Sequence, residues 1–229
     1  MFRQRKIVVN KKVVAILISV GIVVIAGLTF GTLCILDMRS YTSADFGFQD
    51  QISAVDYDGD GIEDYADMMM GARKYIAKHP EYESKYYPKT GYPTDNKGVC
   101  TDVIWSALKA AGYDFRKMMS DDILTATDEY GIHNPNKNID FRRVKNIHTY
   151  LKRNARELTA DVSDAGAFQY GDIVIFGEDE HIAILSDKRN RDGLPYLIHH
   201  SVSNGAVEED VMKKMTVTAH FRFDLQAGI

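Results

Sequence analysis

The chain has 229 residues, a formal net charge of −4 and 45% hydrophobic residues. Mild acidity excludes the strongly basic surface that nucleic-acid binding requires, and no internal repeat or low-complexity tract points to a solenoid or a disordered array. With the apolar block near the N-terminus set aside, the remainder has ordinary globular composition and a length that suits one domain rather than two.

Residues 1–12 carry Arg3, Arg5, Lys6, Lys11 and Lys12 and read as a cytoplasmic tail. Val13 to Leu36 follows without a charge. At about 1.5 Å of rise per residue this stretch is long enough to cross a hydrocarbon core of about 30 Å. The basic flank places the N-terminus inside the cell. The apolar run is longer than that of a cleaved signal peptide, and no small-residue cleavage site follows. The expectation is a single-pass cell-membrane protein: transmembrane helix 13–36, polar linker 37–53, and an extracytoplasmic domain over 54–229.

That domain opens on an acidic loop. Asp56, Asp58, Asp60, Asp64 and Asp67 fall at positions 1, 3, 5, 9 and 12 of a calcium-type loop, with Gly61 at 6 and Ile62 at 7. Alternate carboxylates on a tight turn, together with the Ile62 carbonyl, supply the oxygens that calcium takes. Asp67 stands where the usual pattern has a bidentate Glu. The competing reading is an acidic turn that caps the next helix.

The spacing predicts that helix over about 63–78, with Ala66, Met69, Met70 and Ile76 inward and His79-Pro80 as the stop. A second helix runs from Cys100 to Ala111, with Val103, Ile104, Ala107, Leu108 and Ala111 on one face and Gly112 as its C-terminal cap. A third covers about 141–154 after Asp140. Strand-like runs follow at Asp172–Phe176, His181–Ser186 and Tyr196–His200, with a last one over about 217–223. Helices first and an antiparallel meander second predict an α+β domain.

Two cysteines occur, Cys34 and Cys100. Cys34 falls in the apolar block, so no disulfide can form within the domain. Cys100 opens a predicted helix, where the dipole and free N–H groups lower a thiol pKa. The competing reading is a small buried hydrophobe. His181 begins one strand and His199 lies on the next, the order in which a thiol hydrolase places a base and its orienting partner. His200 faces the opposite side from His199. A zinc site built from Cys100, His181 and His199 lacks the close paired spacing of zinc motifs. Arg142 and Arg143 suit a substrate carboxylate, and Asp102 beside the thiol joins them as a candidate substrate-binding residue. A solvated helix face is the plainer reading of the two arginines.

Several motifs occur in one order: Gly-Val-Cys-Thr-Asp-Val at 98–103, Asn-Ile-Asp-Phe-Arg-Arg-Val at 138–144, Gly-Asp-Ile-Val at 171–174, His-Ile-Ala-Ile-Leu-Ser-Asp at 181–187 and Ile-His-His at 198–200. In this the chain, over about 64–223, resembles a bacterial domain-of-unknown-function family within the NlpC-like, papain-fold superfamily. The resemblance implies a helix bearing the nucleophile packed on a small antiparallel sheet. It implies Cys100 as nucleophile, His181 as base, and a third polar residue matching His199. Related members often carry Asn after that histidine, where this chain has His200, so both His199 and His200 stay open as the third residue. The superfamily commonly cuts amide bonds in peptidoglycan stem peptides and includes acyl-transfer members. The expected activity is therefore a membrane-anchored cysteine amidase or peptidase acting on wall peptides, with calcium as a structural ion and no catalytic cofactor. Its rivals are an acyltransferase with the same site and a calcium-stabilised, non-enzymatic wall-binding module.

Overall fold

The computed structural model describes residues 19–29 and 40–224. It divides into two units, residues 1–40 and residues 41–229. In the first, residues 19–29 form a helix whose Val20, Ile22, Val23, Ile25 and Leu28 are exposed. Among the described residues no helix is long and apolar enough to cross a membrane. That finding overturns the expected transmembrane helix and the single-pass, extracytoplasmic placement built on it. The remainder of 13–36 lies outside the described residues, as do Cys34 and the basic tail.

The second unit is α+β. Helix α1 (Asp64–Ile76) is capped by Glu63, whose carboxylate accepts the N–H groups of Tyr65 and Ala66. Its Tyr65, Met68, Met69, Ala72 and Tyr75 are buried. It packs on α2 (Cys100–Ala110) at Gly71, where any side chain would collide with the Cβ of Ala110. Helices α3 (Phe115–Thr125), α4 (Thr127–Tyr130) and α5 (Val144–Asn154) complete the helical layer. Asp140 begins a 3-10 turn, Asp140–Arg142, so α5 starts three residues later than its sequence suggests.

Strands β1 (Glu81–Tyr82) and β2 (Lys97–Gly98) make a short parallel pair just before α2. The main sheet contains β3 (Arg156–Leu158), β4 (Ile173–Phe176), β5 (His181–Arg189), β6 (Pro195–Ser201), β7 (Gly205–Glu209) and β8 (Val217–Arg222). Its order is β3-β8-β4-β5-β6-β7, with every pairing antiparallel. Alternation sorts its side chains. Ile173, Ile175, Ile182, Ile184 and Ile198 join the helical core that includes Cys100, Val103 and Ile104. Val174, Phe176, Ala183, Leu185 and Leu197 pack on the far face with Phe168, Leu194 and Met212.

Residues 41–48, read as linker from the sequence, belong to this folded unit. Tyr41 pairs antiparallel with Arg189, exchanging backbone hydrogen bonds of 2.8 and 2.7 Å. The Arg189 side chain is 1% exposed. It donates to Ser43 Oγ (3.1 Å) and to the carbonyls of Ala165 (3.1 Å), Gly193 (2.7 Å) and Phe168 (2.6 Å), with the Phe48 ring 5.1 Å away. A charge is buried there at tolerable cost because neutral acceptors surround it.

Candidate functional site

Cys100 is the first residue of α2, and the helix start is firmly built. Val99 N–H donates to Asp102 Oδ2 at 2.8 Å, and Asp102 N–H to the Val99 carbonyl at 2.9 Å. The sulfur faces the backbone N–H groups of Ile182 and Thr101. Burial nevertheless dominates: Cys100 is 5% exposed, and desolvation pushes its thiol up to about 11, against the smaller downward pull of those N–H groups. The expectation of a lowered thiol pKa is thus reversed in this state, because a helix N-terminus acts most strongly on a group that water or a substrate can reach.

At the mouth of β5, His181 Nε2 lies 2.7 Å from His199 Nδ1, and His199 Nε2 lies 2.9 Å from Glu209 Oε1. Asn204 Nδ2 donates to both Glu209 oxygens at 2.8 and 2.9 Å. The chemistry of the chain fixes its tautomers. The Glu209 carboxylate only accepts, so His199 Nε2 carries a proton and its Nδ1 accepts. His181 Nε2 must then donate, which leaves His181 Nδ1 with a free lone pair. Burial, then the neighbouring His199 and His200, push His181 down to about 4, so at neutral pH it is an uncharged base. Burial also lowers His199, against the upward pull of Glu209. Burial raises Glu209, but hydrogen bonds from Asn204 and His199 outweigh it and hold the carboxyl below its ordinary range. A cleft of about 260 Å³ opens beside these groups, lined by His181, His199, Ser201, Asn204, Glu209 and Lys214.

The backbone N–H that meets the Cys100 sulfur belongs to Ile182, the residue after His181, whose own side chain leaves β5 on the opposite face of the sheet. Alternation directs Ile182 toward the helical core and His181 toward the cleft. Among the described residues no hydrogen bond joins Cys100 to His181, so the expected direct contact is not formed in this state. His200 takes the other side of β6. It is fully buried, with Nδ1 2.9 Å from the Tyr75 hydroxyl. Of the two histidines left open by the sequence, His199 is the one that meets His181.

Two of the expected substrate-binding residues are spent on each other. Arg142 donates to Asp102 through Nε at 2.7 Å and Nη2 at 2.8 Å, and through Nη1 to the Lys85 carbonyl at 2.7 Å. Asp102 is fully buried and also accepts Trp105 Nε1 at 2.6 Å. This bidentate pair fixes the entry to α2 and offers a substrate nothing. Arg143 is exposed at the N-terminus of α5.

In the acidic loop, carboxylate oxygens of Asp56, Asp58 and Asp60 lie within 4.8 Å of one another. Asp67 is buried, and its Oδ2 has no partner. Burial, then Asp60 and Asp58, raise its carboxyl to about 6. Asp64, expected as a ligand, is instead engaged within the protein: Oδ1 accepts the Tyr57 N–H at 2.9 Å and Oδ2 accepts the Tyr113 hydroxyl. Ile62 is exposed.

Sequence reasoning missed Glu209 and Asn204 because it missed β7. Asn204-Gly205 was the available signal, since Asn-Gly between two strands marks a tight hairpin; Ser201 indeed pairs with Gly205.

Among known proteins, the chain is 35% identical over 166 residues to the uncharacterized protein YijF of Escherichia coli (strain K12), covering 67% of this chain and 78% of the relative. No solved structure matches it. Residues 69–223 match the family described as Domain of unknown function (DUF1287). That span holds Cys100, His181, His199 and Glu209 and leaves out the loop at 56–67; the chain belongs to this family.

Proposed function

We propose that the protein is a thiol-dependent amide hydrolase of the NlpC-like kind, acting on peptides of the class found in peptidoglycan stems. One observation carries the reading: the relay His181–His199–Glu209 leaves an uncharged Nδ1 free on β5, one residue before the Ile182 backbone N–H that meets the Cys100 sulfur. A nucleophile at a helix start on an antiparallel sheet, with base and orienter on successive strands, is the arrangement that the NlpC-like resemblance implies.

The thiol and the imidazole rest uncharged, so the proton leaves sulfur as the new bond forms rather than before. The sulfur turns toward the mouth of β5 and attacks the amide carbonyl, and His181 Nδ1 takes its proton. Backbone N–H groups at the start of α2 face the developing oxyanion. The tetrahedral adduct collapses, His181 returns the proton to the departing amine, and a thioester remains. Water, deprotonated by His181, then releases the acid and restores the thiol. His199 and Glu209 hold the ring and its tautomer throughout.

Incubation with purified peptidoglycan fragments, followed by mass spectrometry, should reveal paired new amine and carboxylate ends, absent with Cys100→Ala. An acyltransferase would instead join an added amine to the carboxyl side. A Cys100→Ala protein that cleaves at the wild-type rate would overturn the mechanism.

A non-enzymatic module is the second reading, favoured by the burial of Cys100 and its raised pKa. In that case iodoacetamide should label Cys100 only after unfolding, and no fragment should be cut.

A further inference from the structure

We propose that Asp56, Asp58 and Asp60, closed by Asp67 from the first turn of α1, form a binding site for calcium. The proposal stands independently of the hydrolase reading, and the loop lies outside the span that the family shares.

Two separate observations carry it. The first is the convergence of three exposed carboxylates within 4.8 Å, on a loop already folded around them. Asp56 accepts the N–H groups of Gly59 (2.8 Å), Asp60 (3.1 Å) and Gly61 (2.9 Å), and Asp60 accepts that of Ile62 (2.9 Å). Gly59 and Gly61 adopt φ of 75° and 95°, which let the loop turn this tightly. The second observation is Asp67, which is only 5% exposed and whose Oδ2 lacks any hydrogen-bond partner. A buried carboxylate oxygen without a partner is costly. Asp67 is not one of the three that converge within 4.8 Å, and a cation held by them would supply the partner that its free oxygen lacks.

All available donors are oxygens, which is the chemistry of a hard cation. Four carboxylates and the Ile62 carbonyl, completed by water, reach the six to eight ligands that calcium takes; magnesium demands a stricter octahedron and keeps its water. Asp64 is not a ligand. It serves as the loop's internal latch, holding Tyr57 N–H and the Tyr113 hydroxyl, while the Tyr57 and Tyr113 rings stack at 4.2 Å. Since Tyr113 follows α2, the ion would join the start of α1 to the end of α2.

The test uses the full chain, melted in calcium and in chelator, together with terbium luminescence excited through Tyr57. Calcium should raise the melting temperature, since a ligand that binds only the folded state stabilises it. Millimolar calcium should quench terbium emission, whereas equal magnesium should not. Asp60→Asn should bind about tenfold or more weakly, because affinity follows ligand charge. Asp67→Asn should lose the calcium-dependent rise yet melt at or above the wild type in chelator, because it removes an unpaired buried charge. Asp64→Asn should melt lower while keeping terbium emission. A wild-type melting point indifferent to calcium, or terbium displaced equally by magnesium, would overturn the assignment.

Discussion

Asp102 and Arg142 close on each other, whereas His181, His199 and Glu209 form a chain with one end open. Asp102, Arg142, His181 and His199 all drew attention as candidate chemistry from the sequence. The two clusters differ in accounting. Every oxygen of Asp102 has a donor: the guanidinium takes two, and Val99 N–H and Trp105 Nε1 complete the set. The relay satisfies Glu209 and His199 and then stops at His181 Nδ1, beside a cleft. A closed network specifies structure; an open one keeps an atom for a substrate.

Removing a member of each cluster separates them most sharply. His181→Ala should cost at least about a thousandfold in hydrolysis, as loss of a general base does, with a melting temperature close to wild type. Asp102→Ala should do the reverse. It strands a buried guanidinium and should destabilise by about 3–5 kcal/mol, readable by urea denaturation, with activity per folded molecule largely kept. If His181→Ala unfolds the protein and Asp102→Ala does not, the assignment of roles is inverted.

A smaller effect probes the far end of the relay. Glu209→Gln can donate to His199 and so permits the wrong tautomer, which should lower kcat about tenfold or more while leaving KM near wild type. Equal losses in kcat for Glu209→Gln and Arg143→Gln would count against a relay.

The smallest effect is in pH. His181 binds its proton near 6.5 when unfolded and only near 4 when folded. Between those values the unfolded state holds more protons, so stability rises with pH across the window and is fully present above it. Wild type should therefore lose stability as pH falls from about 6.5 to 4, and His181→Gln should show a flatter profile. A parallel pair of profiles would place the titrating group elsewhere.

Legibility from sequence followed the range of the interactions. Strands β4, β5, β6 and β8 could be read because their apolar and β-branched runs are local, as could the apolar stripe of α2. Helix α3 buries Phe115, Met119 and Ile123 at helical spacing, but its polar remainder hid the pattern. Calcium-type spacing placed Asp56, Asp58 and Asp60 together, yet nothing local shows that Asp64 is claimed by Tyr113. Likewise, no pattern near Arg142 announces a carboxylate 40 residues away. The apolar run at 13–36 read as a membrane span through its length, whereas among the described residues no helix is long and apolar enough to cross a membrane. Phe46 and Phe48 sat in a stretch read as linker because the surfaces they cover, at Gly166, Arg189 and Gly193, lie far along the chain.

Arg189 also bears on where this protein can be trimmed. The family span begins at residue 69, but the guanidinium depends on Ser43 and lies against Phe48, and the backbone beside it hydrogen-bonds Tyr41. A fragment cut to the shared span would open a buried cation to water and bare the end of β5. Fraying there would travel along the strand that begins with His181. The smallest autonomous piece therefore starts near residue 41, and shorter fragments should be proteolysed at the β5–β6 hairpin first.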